Sequence, residues 1–323
     1  MLVGFFKSNH KIIAIAIFFV TLMLWVPSFW NDTLINVPEN ALLADVKKLG
    51  EIKWLNFLVA TLYLSMQAIY LNYIANRYRL IQTPSYIVAL LFVVFNSASP
   101  SFLVFNPIFI VNTFLLVVLH QLFEVYNQEK VFSSSFNTGL LLSLAALTYS
   151  PTIIVFPLIW FALIYLKTSL WREFIISLFG FMVPILFYVT YCFFTDQLME
   201  LIDKTIFSSA IFPGIGLLTG SILWNAYFYV LIIIGLLAGV NFLNYINRSV
   251  VKIKKLTIVV LVMFLLLLAT IFINGYDFVA VYLMMTIPLA VIIANYFAEI
   301  KRQWLAELFF ALLVAAIITS YFS

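Results

Sequence analysis

The run Leu256-Thr257-Ile258-Val259-Val260-Leu261-Val262-Met263-Phe264-Leu265-Leu266-Leu267-Leu268-Ala269-Thr270-Ile271-Phe272-Ile273-Asn274 decides the fold. It carries no charge and no alternation of polar and apolar residues. As a helix rising about 1.5 Å per residue, it nearly spans a hydrocarbon layer roughly 30 Å thick. Lipid offers no partner to a free backbone N–H or C=O, so a membrane span is a helix or a strand of a closed barrel, and barrel strands alternate. The run is therefore a helix, and Lys252, Lys254 and Lys255 just before it anchor one end at a headgroup layer.

The same reading extends outward to the whole chain. Of 323 residues, 65% are apolar and 9% charged, with mean hydropathy +1.13. Soluble domains run near 45–50% apolar and about 25% charged. The expected fold class is all-α: one integral membrane domain over residues 1–323, a polytopic helical bundle. Spans are expected near 12–30, 54–76, 84–99, 102–125, 135–149, 151–167, 174–195, 221–246, 256–274, 278–298 and 303–322, about eleven transmembrane helices. The run from Ile12 to Trp30 lacks a small-x-small cleavage site before Asn31 and Asp32, so it reads as an uncleaved first span. The pairs within 84–125 and 135–167 meet at Pro100 and Pro151 through tight connections, and each reads either as two spans or as a re-entrant hairpin.

Charge sets the orientation. With the N-terminus cytoplasmic, Lys7, Lys11, Arg77, Arg79, Lys130, Lys167, Arg172, Arg248, Lys252, Lys254, Lys255, Lys301 and Arg302 fall inside. Only Lys47, Lys48, Lys53 and Lys204 fall outside, a strong positive-inside bias over short loops. An even number of crossings is the competing topology. The net charge of +4 follows from this distribution and forms no patch for nucleic acid. The expected location is a bacterial inner membrane, crossed many times, with the lipid bilayer as the main partner.

Two outer segments are long enough to hold structure. In residues 31–53, Pro38 suits an opening helical turn, and Leu42, Leu43, Val46 and Leu49 make an apolar stripe, which reads as an amphipathic helix on the outer leaflet. Residues 196–220 begin with a similar stripe, Leu198, Leu201, Ile202 and Ile206, then break at Pro213, Gly214 and Gly216. They read as a cover over an inter-helix cavity. Gly214, Gly216 and Gly220 follow no strand and match no dinucleotide fingerprint; they are turn glycines.

The polar residues narrow the chemistry. Two histidines and one cysteine allow neither a zinc constellation nor a disulfide framework, and Cys192 reads as a small core residue. Cofactors are unassigned, with a divalent cation such as Mg²⁺ held by carboxylates left open and its ligands unspecified. His120, Gln121 and Glu124 are the densest polar cluster within a span, with His120 and Glu124 at i, i+4. This spacing suits a proton relay or an interfacial hydrogen-bonded pair. Asn72, Asn76, Arg77 and Arg79 close the second span as a positive-inside anchor. Glu307 reads as a snorkelling or bundle-facing carboxylate, and Asn96, Asn106, Asn112 and Asn137 as interhelical hydrogen-bonding residues.

Two segments carry a resemblance. Phe136-Asn137-Thr138-Gly139-Leu140, continuing through Ser143-Leu144-Ala145-Ala146-Leu147-Thr148-Tyr149-Ser150-Pro151, resembles the hairpin of polyprenyl-phosphate-dependent glycosyltransferases of the GT-C superfamily, with a glycine-led helix and a proline-started return. Pro38-Glu39-Asn40-Ala41-Leu42-Leu43-Ala44-Asp45-Val46-Lys47-Lys48-Leu49-Gly50 resembles their first outer loop, where an acidic side chain serves as catalytic base or metal-linked carboxylate. Only Glu39 matches the superfamily's acidic pair, since Pro38 takes the other place. Over its length the chain looks most like an uncharacterised family of Bacteroidota inner-membrane proteins, notably in Trp171-Arg172-Glu173-Phe174 followed by Gly180 and Pro184.

The GT-C resemblance implies a GT-C-like N-terminal half and transfer of a sugar from a polyprenyl-phosphate lipid to an envelope acceptor on the outer, periplasmic face. Glu39 is then the expected base, with Asp32 and Asp45 as supporting carboxylates. The alternatives are a non-catalytic scaffold or assembly subunit of an envelope or secretion complex, with a membrane-protein partner, or a lipid transporter.

Overall fold

The computed structural model describes residues 2–8, 10, 12–29, 53–99, 102–126, 128, 131–167, 171–196, 222–273, 278–300 and 303–321. Every regular element among them is helical: α1 Leu2–Phe6, α2 Ile12–Trp25, α3 Lys53–Arg77, α4 Ile87–Asn96, α5 Pro107–Glu124, α6 Phe132–Thr148, α7 Phe156–Leu166, α8 Trp171–Phe194, α9 Ile222–Arg248, α10 Val251–Ile273, α11 Phe278–Glu299 and α12 Gln303–Tyr321. Short 3-10 turns, Val26–Phe29 and Ser150–Val155, extend α2 and lead into α7. Eight helices among the described residues are long and apolar enough to cross a membrane, and Ile87–Asn96 and Ser150–Leu166 are shorter apolar ones. The chain is a multi-pass membrane protein.

The expected span 84–99 is cut short, since α4 holds only ten residues, all of them buried. The expected span 102–125 begins late, at Pro107. Around Pro151 the two expected segments join through the 3-10 turn Ser150–Val155. The 17 residues of α6 rise roughly 25 Å, and the chain returns through the 3-10 turn and the 11 residues of α7.

Burial grades the helices from centre to rim. The window of α11 is 89% buried against 17% for α8, so α11 and the wholly buried α4 form the axis. Helices α3, α9 and α10 pack around them, and α12 packs on α9. Helix α8 leans chiefly on α6, leaving Phe179, Met182, Leu186 and Phe187 exposed to lipid. Cys192, expected in the core, is buried and free.

Two glycines set the α6–α8 contact. A Cβ on Gly139 would stand 2.1 Å from the Ser177 carbonyl oxygen, and one on Gly180 would stand 2.2 Å from the Phe136 carbonyl oxygen. The two backbones touch where each helix offers a residue without a side chain, which is how membrane helices gain close packing without a hydrophobic drive. Gly235 and Gly239 on α9 are different, with nothing within 4 Å of an added Cβ.

Contacts between helix ends sort the bundle into two faces. At one end the Lys7 ammonium donates to Ile300 O at 3.3 Å, Lys252 sits over the Tyr126 ring, and Lys255 over Tyr165. We call this the basic end. At the opposite end Tyr227 meets Tyr282 and Ser320 reaches Ala98. The close approach at Gly139 yields a test. Gly139→Ala should lower the thermal stability of the detergent-solubilised protein by about 1–3 kcal/mol, the usual cost of overpacking. Gly235→Ala should be neutral or stabilising by up to about 1 kcal/mol.

Candidate functional site

The segment that ends α4 breaks a membrane helix inside the protein. Its sequence, Asn96-Ser97-Ala98-Ser99-Pro100-Ser101-Phe102-Leu103-Val104-Phe105-Asn106-Pro107, holds prolines at positions 100 and 107, and a proline lacks an N–H and disfavours the helical region for its predecessor. Asn106 is accordingly extended at φ −130, ψ 164, and its side chain accepts from Ile108 N at 3.0 Å, capping α5 with Pro107 in the first turn. Asn106, expected to bind across helices, is a local cap for this reason. The rest of the described break is deeply buried: Ala98, Phe102 and Leu103 are fully enclosed.

Irregular backbone at this depth needs partners, and the neighbouring helices supply them. Within the segment, Asn96 Nδ2 donates to Phe92 O at 2.8 Å and Ser97 Oγ to Val93 O at 2.8 Å. From α11, the Tyr282 hydroxyl donates to Phe95 O at 3.2 Å. From α12, the Tyr321 hydroxyl donates to Ser97 O and Ser320 Oγ to Ala98 O at 2.9 Å. From α2, the Trp25 indole donates to Ser97 Oγ at 3.1 Å. At the far end of the break, Phe105 N donates to Asn56 Oδ1 of α3 at 2.9 Å. Asn96 and Asn112 both work across helices as expected: Asn96 Nδ2 reaches Thr286 Oγ1 and Asn112 Nδ2 reaches Leu283 O, each at 3.1 Å. Their amide oxygens, with that of Gln67, are buried without a partner.

The break surfaces beside an aromatic hinge. Phe29, at the end of the turn that prolongs α2, has its ring 4.7 Å from that of Trp54 and 4.7 Å from that of Phe57, and Phe57 lies one residue from Asn56. The connection from α2 to α3 therefore leaves and returns through one contact, next to Phe105. Asp32, Glu39 and Asp45 belong to this connection and lie outside the described residues, as do the outer segments expected over 31–53 and 196–220 apart from their terminal Lys53 and Asp196. Asp32 is three residues from Phe29, which limits its reach to about 11 Å.

At the basic end, two motifs expected separately come together. Arg77 of α3 lies 3.8 Å from Glu124 of α5, and His120 lies 3.6 Å from the same carboxylate oxygen. The other expected polar residues stay apart. Asn137 is exposed on α6, and Glu307 keeps one buried oxygen without a partner. Among the described residues no group of three or more His, Cys, Asp or Glu side chains could hold a metal ion.

The donors that complete the break, Trp25, Tyr282, Ser320 and Tyr321, carry no local motif and were not singled out by the sequence. The findable signal was the proline-bounded Ser/Asn run, which marks where donors are needed but not which helices provide them.

Over residues 1–323 the chain matches a family described as a family of unknown function (DUF6427), and it belongs to that family. No curated protein and no solved structure matches it.

Tyr321→Phe tests whether the break depends on its distant donors. It removes one hydroxyl and leaves Ser97 O without that donor in a dry site. We expect a loss of about 0.6–2 kcal/mol and faster hydrogen exchange confined to amides near residues 97–99. An unchanged exchange rate there would show that the hydroxyl is dispensable.

Proposed function

We propose that this chain works at the outer face of a bacterial inner membrane, transferring a sugar from a polyprenyl-phosphate carrier to an envelope acceptor. We further propose eleven crossings with a cytoplasmic N-terminus, so that the basic end is cytoplasmic and the aromatic hinge is periplasmic. What supports this reading most is the convergence at the hinge: the connection carrying Asp32, Glu39 and Asp45 is rooted beside the mouth of the broken segment. A lipid-linked donor can approach such a place laterally through the bilayer while a water-borne acceptor comes from above.

In this mechanism Glu39 accepts the proton of the acceptor hydroxyl. The acceptor oxygen attacks the anomeric carbon, the bond from that carbon to the phosphate oxygen breaks, and polyprenyl phosphate leaves with the electron pair. Asp32 or Asp45 would support the base. The GT-C-like character of the N-terminal half is part of the proposal, and the α6–α7 hairpin with its proline-started return agrees with it.

The second reading, a non-catalytic scaffold in an envelope complex, draws on α8, whose outward face packs on nothing among the described residues. The two readings part at Glu39→Gln, which keeps shape and removes charge. Loss of envelope glycan at unchanged protein abundance is expected for the enzyme, and normal glycan would sink Glu39 as the base. The topology has its own test. In a Cys192→Ser background, Lys254→Cys in intact spheroplasts should resist an impermeant thiol reagent, and labelling there would invert the map.

A further inference from the structure

The basic end holds a cluster that sugar transfer at the other face does not use. His120 sits at its centre on α5. Its Nδ1 is 2.6 Å from the Tyr70 hydroxyl of α3, and its ring meets those of Tyr70, Tyr73 and Tyr78 edge-on at 5.7, 6.0 and 5.8 Å. Its Nε2 is buried without a hydrogen bond, yet faces Glu124 Oε1 at 3.6 Å. That oxygen is also the one Arg77 approaches, at 3.8 Å. Arg77 is held in place independently, by a hydrogen bond to the Tyr73 hydroxyl and by lying 5.7 Å over the Tyr73 and Tyr78 rings.

One carboxylate oxygen thus stands between a permanent cation on a neighbouring helix and a titratable ring on its own helix. We propose that His120 is a proton-operated switch: neutral, it leaves Glu124 to Arg77 and ties α3 to α5; protonated, it takes Glu124 for itself and loosens that tie. The hydrogen-bond chemistry fits. In the neutral ring Tyr70 donates to Nδ1 and the proton rests on Nε2. In the imidazolium both nitrogens donate, so Nε2 forms a charged pair with Glu124, and Tyr70 turns a lone pair toward Nδ1–H.

The electrostatic surroundings leave His120 as the responsive group. Tyr78 stays a neutral phenol, because burial and then the charge of Glu124 push it up to about 12. Of the helices packed on α5, α6 contains no ionisable side chain. Tyr165 of α7 faces Lys255, Glu299 of α11 is taken by Asn241 and lies 3.9 Å from Arg248, and Tyr282 is at the other end.

The released element is a consequential one. Arg77 ends α3, and Arg79 just beyond it has φ 52, a left-handed conformation that costs a side-chain-bearing residue roughly 1–2 kcal/mol. This turn leads directly into α4, so a change at His120 reaches the start of the bundle's central helix. The inference stands apart from the sugar-transfer reading.

The chain has two histidines, so a His10→Gln background isolates His120. With ¹⁵N-histidine in lipid nanodiscs, its ring nitrogens should move from neutral to imidazolium shifts between about pH 8 and pH 5. A double-mutant cycle of Arg77→Gln and Glu124→Gln should show about two- to fivefold coupling in the unfolding equilibrium at the higher pH and none at the lower. His120→Gln should make that coupling independent of pH. Ring signals that do not titrate, or a coupling whose pH dependence survives His120→Gln, would overturn the switch.

Discussion

A backbone carbonyl in lipid must find a donor within the protein, and the break after Asn96 puts several carbonyls in that position at once. Helix α4 ends where Phe95, Ser97 and Ala98 offer oxygens, and three hydroxyls from α11 and α12 take them up. This fixes more than local geometry. For Tyr282 to reach Phe95 while Tyr321 reaches Ser97, the ends of α11 and α12 away from the basic end must stand on either side of α4. The Trp25 contact sets α2 against the same point. The positions of four helices follow from one helix stopping early.

The other end of α4 is fastened with the same economy of means. Asn76 presents its amide to both the N–H and the C=O of Ser85 at 3.2 Å, pairing as a strand neighbour would. Tyr86 N donates to Phe6 O at 2.9 Å, Asn295 Nδ2 to Leu80 O at 3.2 Å, and the Tyr245 hydroxyl to Arg79 O at 2.8 Å. These partners come from α1, α3, α9 and α11. Tyr245 supports the left-handed Arg79 by giving its carbonyl a donor. Lys7 joins the same end through Ile300 O, in surroundings where burial lowers its pKa.

What the sequence made legible follows from which forces hydropathy reports. The described part of the apolar run, Leu256 to Ile273, lies in α10, because transfer of apolar surface to lipid is read residue by residue. The basic residues gathered by the positive-inside pattern, including Arg77, Lys252 and Lys255, do cluster at one end. Phe102-Leu103-Val104-Phe105 is as apolar as any helix and yet is not one. Its end is set by Pro107 and by Asn56, 49 positions away in the chain, which accepts from Phe105 N, and hydropathy weighs neither. The union of Arg77 with His120 and Glu124 was hidden likewise: Arg77 reads as a positive-inside anchor and His120 with Glu124 as a proton relay or interfacial pair, and only the packing of α3 on α5 makes them one cluster. The carboxylates expected to carry chemistry, Asp32, Glu39 and Asp45, lie outside the described residues, so only the roots of their segment bear on them.

The way the break is satisfied also bears on the transporter alternative. In membrane proteins that move ions, unwound backbone lends its carbonyls to the cargo, and one half of the bundle rocks against the other around them. Here the corresponding carbonyls are already occupied by Tyr282, Tyr321 and Ser320, and the central helix is tied at both ends to helices drawn from both halves of the chain. Rocking would have to break those bonds together in a medium that offers no replacements. A break so thoroughly bonded serves better as a rigid support, bringing extended chain to the membrane surface beside Asn56 and the Phe29–Trp54 hinge. Rigid support near the headgroup plane is what chemistry on a lipid-linked group requires, since the reacting atoms must be held in register while carrier and acceptor arrive from different phases.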